Sequence, residues 1–393
     1  MFEVILAAVE KNVARMNVET SKGKRQKYFL FWNEDKKEIR VIEQTGILGS
    51  GTFGKIKLWN NLHTGKKRVF KQAKRKFPSY LDHEHFSNRA RQDLVREQAI
   101  LKNLHGIKGK AIGIEPIPLS GKKFTAPVFN VDVDAKLTEG KSKRQYGLLK
   151  IKFQSDFFEI LKDLEKSGIL NSFDDCLLFS LQLLGGGTIM ARKGISHGDI
   201  KAENIFLLTI GGIQYVFIGD FGGACQLSDT IENITRLGVK RAFATDVINK
   251  NDLLALDNAM SVLRLLDSSN VALIANLENK IRAIEEKADP FSLGLFIYRL
   301  FSGQSPFDFF ECDGQQFLDD HFLGFGEMSI PQEIEEIISG LLLNNYEKRM
   351  LCEEAYFKLL DYVEKNQPVV FARYQTQVEG FDPINPAQRD LST

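Results

Sequence analysis

Ile195-Ser196-His197-Gly198-Asp199-Ile200-Lys201-Ala202-Glu203-Asn204-Ile205-Phe206 crowds acid, base and amide side chains between isoleucines. Lys201 follows Asp199 by two residues and Asn204 follows it by five. Sixteen residues past Asn204, after the strand-like runs FLLTIGG and QYVFIG, comes Asp220-Phe221-Gly222. The two runs read as a strand pair that joins one acidic loop to the next. Each loop alone is also what a hairpin with an incidental aspartate looks like. The reading therefore depends on what accompanies them upstream.

Gly49-Ser50-Gly51-Thr52-Phe53-Gly54 spells G-x-G-x-x-G between two strand-like runs. Glycines let a backbone approach phosphates closely and aim its N–H groups at them. A dinucleotide site would need a helix after the last glycine. Instead Lys55-Ile56-Lys57-Leu58-Trp59 alternates as a strand, which fits a loop folded over phosphates. Lys71 lies seventeen residues past Gly54, in the strand-like Arg68-Val69-Phe70-Lys71. From Asn88 to Leu104 the spacing becomes helical, with Leu94, Glu97, Leu101 and Leu104 on one stripe. A carboxylate facing inward is costly unless paired. A Lys71–Glu97 pair would meet that cost and aim the lysine at phosphates. The alternative is a stripe-edge glutamate that reaches water.

Four motifs in this order resemble the eukaryotic-type Ser/Thr protein kinases, with the chain as a divergent member. The resemblance implies an α+β, two-lobed fold, with a β-rich N-lobe and an α-helical C-lobe. It implies ATP and Mg²⁺ as cofactors and a protein as substrate. Asp199 would accept or orient the proton of the attacking hydroxyl, and Lys201 would offset charge on the moving phosphoryl group. Asn204 and Asp220 would bind Mg²⁺, and Lys71, held by Glu97, would reach the phosphates. Gly49, Ser50, Gly51, Thr52, Phe53, Gly54 and Ile56 would cradle the nucleotide. Asp289-Pro290-Phe291-Ser292-Leu293-Gly294 and Arg349 also look like family positions in the second lobe, so the resemblance runs from about Val41 to Glu364.

Three departures stand against this pattern. Gly198 replaces the arginine expected before the catalytic aspartate. The stretch from Gly222 to Asp289 is long and lacks A-P-E; it reads as helices, with Leu273, Leu277, Ile281 and Ile284 on one face. Glu278 is the candidate to pair with Arg349. Gly185-Gly186-Gly187 interrupts the helix expected before the catalytic loop, at about 1 kcal/mol per glycine relative to alanine. Such departures resemble bacterial effector kinases delivered into host cells. Two other readings stay open. A small-molecule phosphotransferase like the aminoglycoside or choline kinases shares His-Gly-Asp, although Lys201 and the complete glycine loop speak against it. A non-catalytic pseudokinase scaffold would keep every chemical residue and fail at its docking surface.

The remaining organisation follows from pattern and charge. Residues 1–40 are expected as an N-terminal extension, 41–153 as the N-lobe and 154–365 as the C-lobe. The C-lobe carries an enlarged activation segment at 223–288, and 366–393 is expected as a tail. The formal charge of +1 hides a split: 32 Lys+Arg against 15 Asp+Glu through residue 155, and 20 against 36 beyond it. The clusters Lys66-Lys67-Arg68, Lys74-Arg75-Lys76 and Lys141/Lys143/Arg144 suit a polyanion partner, or simply solvated strand edges. An activating protein is a further candidate partner, at the basic N-lobe or the 223–288 insertion. No repeat, specific nucleic-acid motif or membrane-spanning run is visible. Cys176, Cys225, Cys312 and Cys352 lie far apart without a CxxC pair. They suit a reducing cytoplasm, or a host cytosol for a secreted effector.

Overall fold

The computed structural model describes residues 15–19, 25–33, 38–50, 54–62, 67–73, 92–104 (without 98 and 102), 116–119, 122–125, 136–139, 146–151, 155–156, 172–229 (without 211–212), 271–302, 330–343 and 345–380. Several expectations fall elsewhere: the loop tip at 51–53, most of the 223–288 segment, the basic clusters at 74–76 and 141–144, the strand-like run 127–133, the helical runs at 157–168 and 252–266, and Cys312.

The first half is strand-rich because β-branched and aromatic residues alternate with charged ones between glycine and asparagine turns. Strands β1 (Arg15–Glu19), β2 (Arg25–Asn33), β3 (Glu38–Ser50), β4 (Gly54–Asn61) and β5 (Lys67–Ala73) run consecutively. A small hairpin, β6 (Pro116–Leu119) with β7 (Lys122–Thr125), precedes β8 (Lys136–Glu139) and β9 (Tyr146–Ile151). Seven of these strands form one sheet in the order β1-β2-β3-β4-β5-β9-β8, and every neighbouring pair is antiparallel. Strands β1 and β2 therefore lie within the sheet: the segment before residue 41 lengthens it by two strands. Helix α1 spans 92–104. Leu94, Glu97, Leu101 and Leu104 are all buried, as the stripe requires.

The second half centres on α2 (Phe173–Arg192), which is buried on every side from Cys176 to Met190. All-round burial marks a central core helix. Its first turn is capped by Ser172, whose Oγ accepts from the Asp175 N–H at 3.2 Å, and carries Asp174 and Asp175 at the positive end of the helix dipole. Its buried hydroxyls bond back onto the preceding turn, Ser180 Oγ to Cys176 O at 2.7 Å and Thr188 Oγ1 to Leu184 O at 2.8 Å. The last glycine of the run now has a packing reason. A Cβ at Gly187 would stand 2.8 Å from both Cys352 Sγ and Leu293 Cδ1.

Those two contacts come from α6 (Cys352–Asn366) and α4 (Ala288–Ser302). Between them in sequence lies α5 (Gln332–Leu341), and before α4 comes α3 (Val271–Glu286). Ile281 and Ile284 of α3 are buried, but Leu273 is 46% exposed, so the predicted stripe is covered only toward its C-terminal end. Arg349 is buried; it donates from Nε to Leu343 O and from Nη1 to Lys287 O, each at 2.8 Å, and lies over the Phe291 ring. Glu278, its candidate partner from sequence, is half-buried on α3.

One boundary needs correction. The segment expected as a tail from residue 366 continues as α7 (Pro368–Gly380). Val370, Tyr374 and Val378, four residues apart, are buried on one face, and Tyr374 Oη meets Tyr356 Oη at 3.0 Å. Among the described residues no helix is long and apolar enough to cross a membrane.

Candidate active site

Three short elements carry the acidic loops. Strand β11 (Ile195–Ser196) leads into the loop of Asp199, and a 3₁₀ turn (Ala202–Asn204) leads out of it into β12 (Ile205–Ile210). Strand β12 pairs antiparallel with β13 (Ile213–Ile218), the predicted strand pair, and also with β10 (Ser155–Asp156). Asp220 follows β13, and β14 (Cys225–Gln226) then returns to pair with β11. The hairpin and the return strand set the two loops side by side. A Cβ at Gly223 would lie 3.7 Å from both Asp199 Cβ and His197 O.

The Asp199 loop is held from beneath. Asp289, buried near the start of α4, accepts from the His197 N–H at 2.6 Å and the Gly198 N–H at 2.8 Å, one with each oxygen. The His197 ring is fully buried, edge-on to Phe221 at 4.5 Å, with Nε2 2.9 Å from Gly219 O. That carbonyl can only accept, so Nε2 carries the proton and Nδ1 can take the Asp199 N–H at 3.3 Å. Burial pushes the His197 pKa below the usual histidine value despite the nearby Asp289, Asp199 and Asp220 carboxylates. Gly198 has φ +66°, a left-handed conformation that glycine adopts at little cost. Asn204 Nδ2 donates to Asp199 O at 2.8 Å and to Asp199 Oδ2 at 3.0 Å, and Lys201 Nζ lies 3.0 Å from the same Oδ2.

Asp220 is held from the sheet. Lys71 Nζ in β5 lies 2.9 Å from Glu97 Oε2 in α1 and also contacts Asp220 Oδ1. Glu97 is 1% exposed at its side chain, so the inward carboxylate of the predicted stripe has its lysine. Burial would lower the Lys71 pKa, but Asp220 and Glu97 outweigh it and hold the ammonium above the ordinary lysine range. Asp220 itself sits at φ 61°, the only non-glycine residue with positive φ among those described. A Cβ at Gly222 would come within 3.0 Å of Lys71 Nζ, so that glycine gives the lysine room.

The structure thus gathers Lys71, Glu97, Asp220, Asp199, Lys201 and Asn204. Of the glycine motif, Gly49 and Ser50 end β3 and Gly54 begins β4, so the motif is a hairpin tip; Gly51, Thr52 and Phe53 lie outside the described residues. Ile56 pairs directly across from Lys71. Two contributors were absent from the predicted site: His197, visible in the motif but without an assigned task, and Asp289. The signal for Asp289 was an acid before proline at the start of an apolar helix, which reads equally well as a helix cap. Among the described residues no group of three or more His, Cys, Asp or Glu could hold a metal.

No protein-family profile matches the chain. A serine/threonine-protein kinase US3 homologue of Gallid herpesvirus 2 is 40% identical over 75 residues, 19% of this chain and 17% of that protein. Death-associated protein kinase 2 of mouse, and that of human, are 28% identical over 137 residues, 35% of this chain and 29% of theirs. The chain spans less than a third of the length of these curated relatives. These partial similarities support a protein-kinase-like family. The mixed helix and strand content agrees with an α+β fold of that kind.

Proposed function

We propose that the protein is a kinase that transfers the γ-phosphoryl group of ATP to Ser or Thr hydroxyls of protein substrates. The observation that carries this reading is the meeting of two sets of groups: Lys71 with Glu97 and Asp220, and Asp199 with Asn204 and Lys201. In this reading the sheet is the first lobe and the helical half the second. ATP lies between them, beneath the Gly49–Gly54 hairpin tip.

The chemistry follows from the groups. The substrate hydroxyl oxygen forms a bond to the γ-phosphorus as the bond to the bridging oxygen breaks. The electron pair of that bond leaves with ADP, and the hydroxyl proton passes to an Asp199 oxygen. Asn204, through its bonds to the Asp199 carbonyl and Oδ2, orients the carboxylate toward the incoming hydroxyl. Lys201, beside Oδ2, brings positive charge to the moving phosphoryl group. Lys71 remains an ammonium through neutral pH and can hold phosphate oxygens by charge.

The donor set fits Mg²⁺. Asp220 and Asn204 offer hard oxygens, and Mg²⁺ is commonly held by one or two such side chains together with phosphates. The Asn204 amide nitrogen is directed to Asp199, which leaves its oxygen as the group able to face a cation. Bound Mg²⁺ supplies neutralisation of phosphate charge. The small-molecule alternative drew on His-Gly-Asp, but the left-handed φ at Gly198 accounts for that glycine locally.

The test is transfer of label from ATP by the purified chain, alone and with a mixed protein lysate, against Asp199→Asn. The expected result is transfer by the wild type and a fall of roughly 10³-fold in the variant, with unchanged melting. Near-normal transfer by Asp199→Asn withdraws the assignment. A wild type that labels nothing returns the chain to the scaffold reading.

A further inference from the structure

Past Asp220, the chain is tied down by a side chain that the phosphoryl-transfer chemistry does not use. Gln226 pairs across from Ile195 in the β14–β11 ladder. Its side-chain amide extends beyond that ladder in both directions. Nε2 donates to Lys193 O at 2.6 Å, in the turn that joins α2 to β11. Oε1 accepts from Asn103 Nδ2 at 2.9 Å, on α1. Because one end of the amide donates and the other accepts, its orientation is fixed by its two partners. Gly194, at φ +63°, leaves the space: a Cβ there would stand 3.3 Å from Gln226 Nε2.

The three points joined are those whose relative placement sets the site. Asn103 lies on the helix that carries Glu97, and thus the partner of Lys71. Lys193 O lies two residues before β11, which leads into the Asp199 loop. Gln226 itself ends the short segment leaving Asp220. Neighbouring bonds hold the same place: Leu227 N–H to Gly194 O at 2.6 Å, Asp229 N–H to Gln226 O at 2.9 Å, and the Arg282 guanidinium of α3 to Leu227 O. All of the Gln226 side-chain bonds are between neutral groups, so the bridge needs no added charge to form. Gly198, the residue ahead of Asp199, has no side chain with which to organise the region.

We propose that Gln226 is a positioning residue: its amide bridge sets α1, and through it Glu97 and Lys71, against the loop of Asp199. The role rests on the kinase reading above. It makes assembly of the site independent of phosphate on the segment after Asp220.

The experiment uses the full chain, phosphatase-treated, with label transfer from ATP measured at varied ATP and melting followed in parallel. Gln226→Ala and Asn103→Ala should each lower kcat/KM about tenfold, the scale of one to two lost hydrogen bonds. The double variant should be no worse than Gln226→Ala, because both changes break one bridge. Gln226→Glu should behave as Gln226→Ala, since a carboxylate cannot donate to Lys193 O. In a Glu97→Gln background, Gln226→Ala should add less than a further twofold loss, an outcome that general loosening of the fold would not produce. A folded Gln226→Ala with normal kinetics overturns the proposal. So do losses that multiply in the double variant or persist in full in the Glu97→Gln background. Should Gln226→Ala fail to fold, Asn103→Ala in the two Glu97 backgrounds decides by the same rule. Loss of activity on phosphatase treatment of the wild type also overturns it. A wild type that transfers no label sinks the kinase reading and this role together; an active wild type indifferent to Gln226 sinks this role alone.

Discussion

The loop of Asp199 and the loop of Asp220 are neighbours held by opposite means. Beneath Asp199 the contacts are buried and mostly main-chain: the Asp289 carboxylate under two N–H groups, and a neutral His197 locked between Gly219 O and Phe221. The Asp220 side chain is 42% exposed; the residue sits in a left-handed conformation unfavourable for a non-glycine residue and is met by the ammonium of Lys71. The first loop is thus an outgrowth of the core, and the second is held in part by charge from across the molecule. Damage to the supports of Asp199 should appear as lost stability. Damage to the partners of Asp220 should appear as lost activity.

The sharpest way to break this contrast is Lys71→Ala, which strands buried Glu97 and releases Asp220. Phosphoryl transfer should fall by about 10³-fold. Glu97→Gln should cost only about tenfold, because an amide can still bond the lysine without fixing it by charge. Equal losses in a steady-state label-transfer assay would mean that the lysine is not positioned through Glu97. Asp289→Ala comes next. It leaves two buried N–H groups without their acceptor and should cost about 3 kcal/mol in urea denaturation. A loss under about 1 kcal/mol, well below that expectation, would show that water can replace the carboxylate. Gly198→Ala should cost about 1 kcal/mol from the left-handed backbone, seen as a lower melting temperature. An unchanged melt would mean that the loop relaxes, and that it is less firmly held than the contacts indicate.

The smallest expected effect concerns pH. The folded protein holds His197 neutral, with a pKa below the ordinary 6.5. As pH falls through the unfolded value, the unfolded chain takes up a proton that the folded chain refuses. The contribution of His197 is therefore complete above about pH 6.5 and is lost on acidification toward its folded pKa. His197→Asn should flatten the fall in melting temperature between about pH 7 and pH 5. An identical slope in both proteins would place a charged histidine in the core.

Local signals carried a large part of this molecule. The stripe Leu94, Glu97, Leu101, Leu104 predicted both a buried helix face and a carboxylate in need of a cation, and the structure has both. What stayed hidden depended on partners far along the chain. Gly187 reads as a helix breaker until Cys352 and Leu293 are seen to close on it. Asp289 reads as a cap until the Asp199 loop is laid over it. Gln226 and Asn103 are 123 residues apart and belong to no pattern of spacing. The α7 face of Val370, Tyr374 and Val378 was blurred by Val369, Phe371 and Ala372 beside it, which spread the apolar positions around the helix and weaken its period.

The bulges of β3 bear on how the glycine-rich hairpin is supported. Strand β2 bonds β3 only as far as Gln44, and the register of β3 against β4 slips immediately after, between Gln44 and Gly46, and again between Ile47 and Gly49. Residues 42–44 are thus braced on both sides, by β2 and by β4, while 46–50 project beyond the brace with β4 alone beside them. A Cβ at Gly46 would meet nothing within 4 Å, so the strand is uncrowded between its two register slips. The hairpin is a cantilever with its root at Gln44. Two added strands at the sheet edge stiffen the beam as far as that root, and residues 46–50 extend past it on the support of β4 alone.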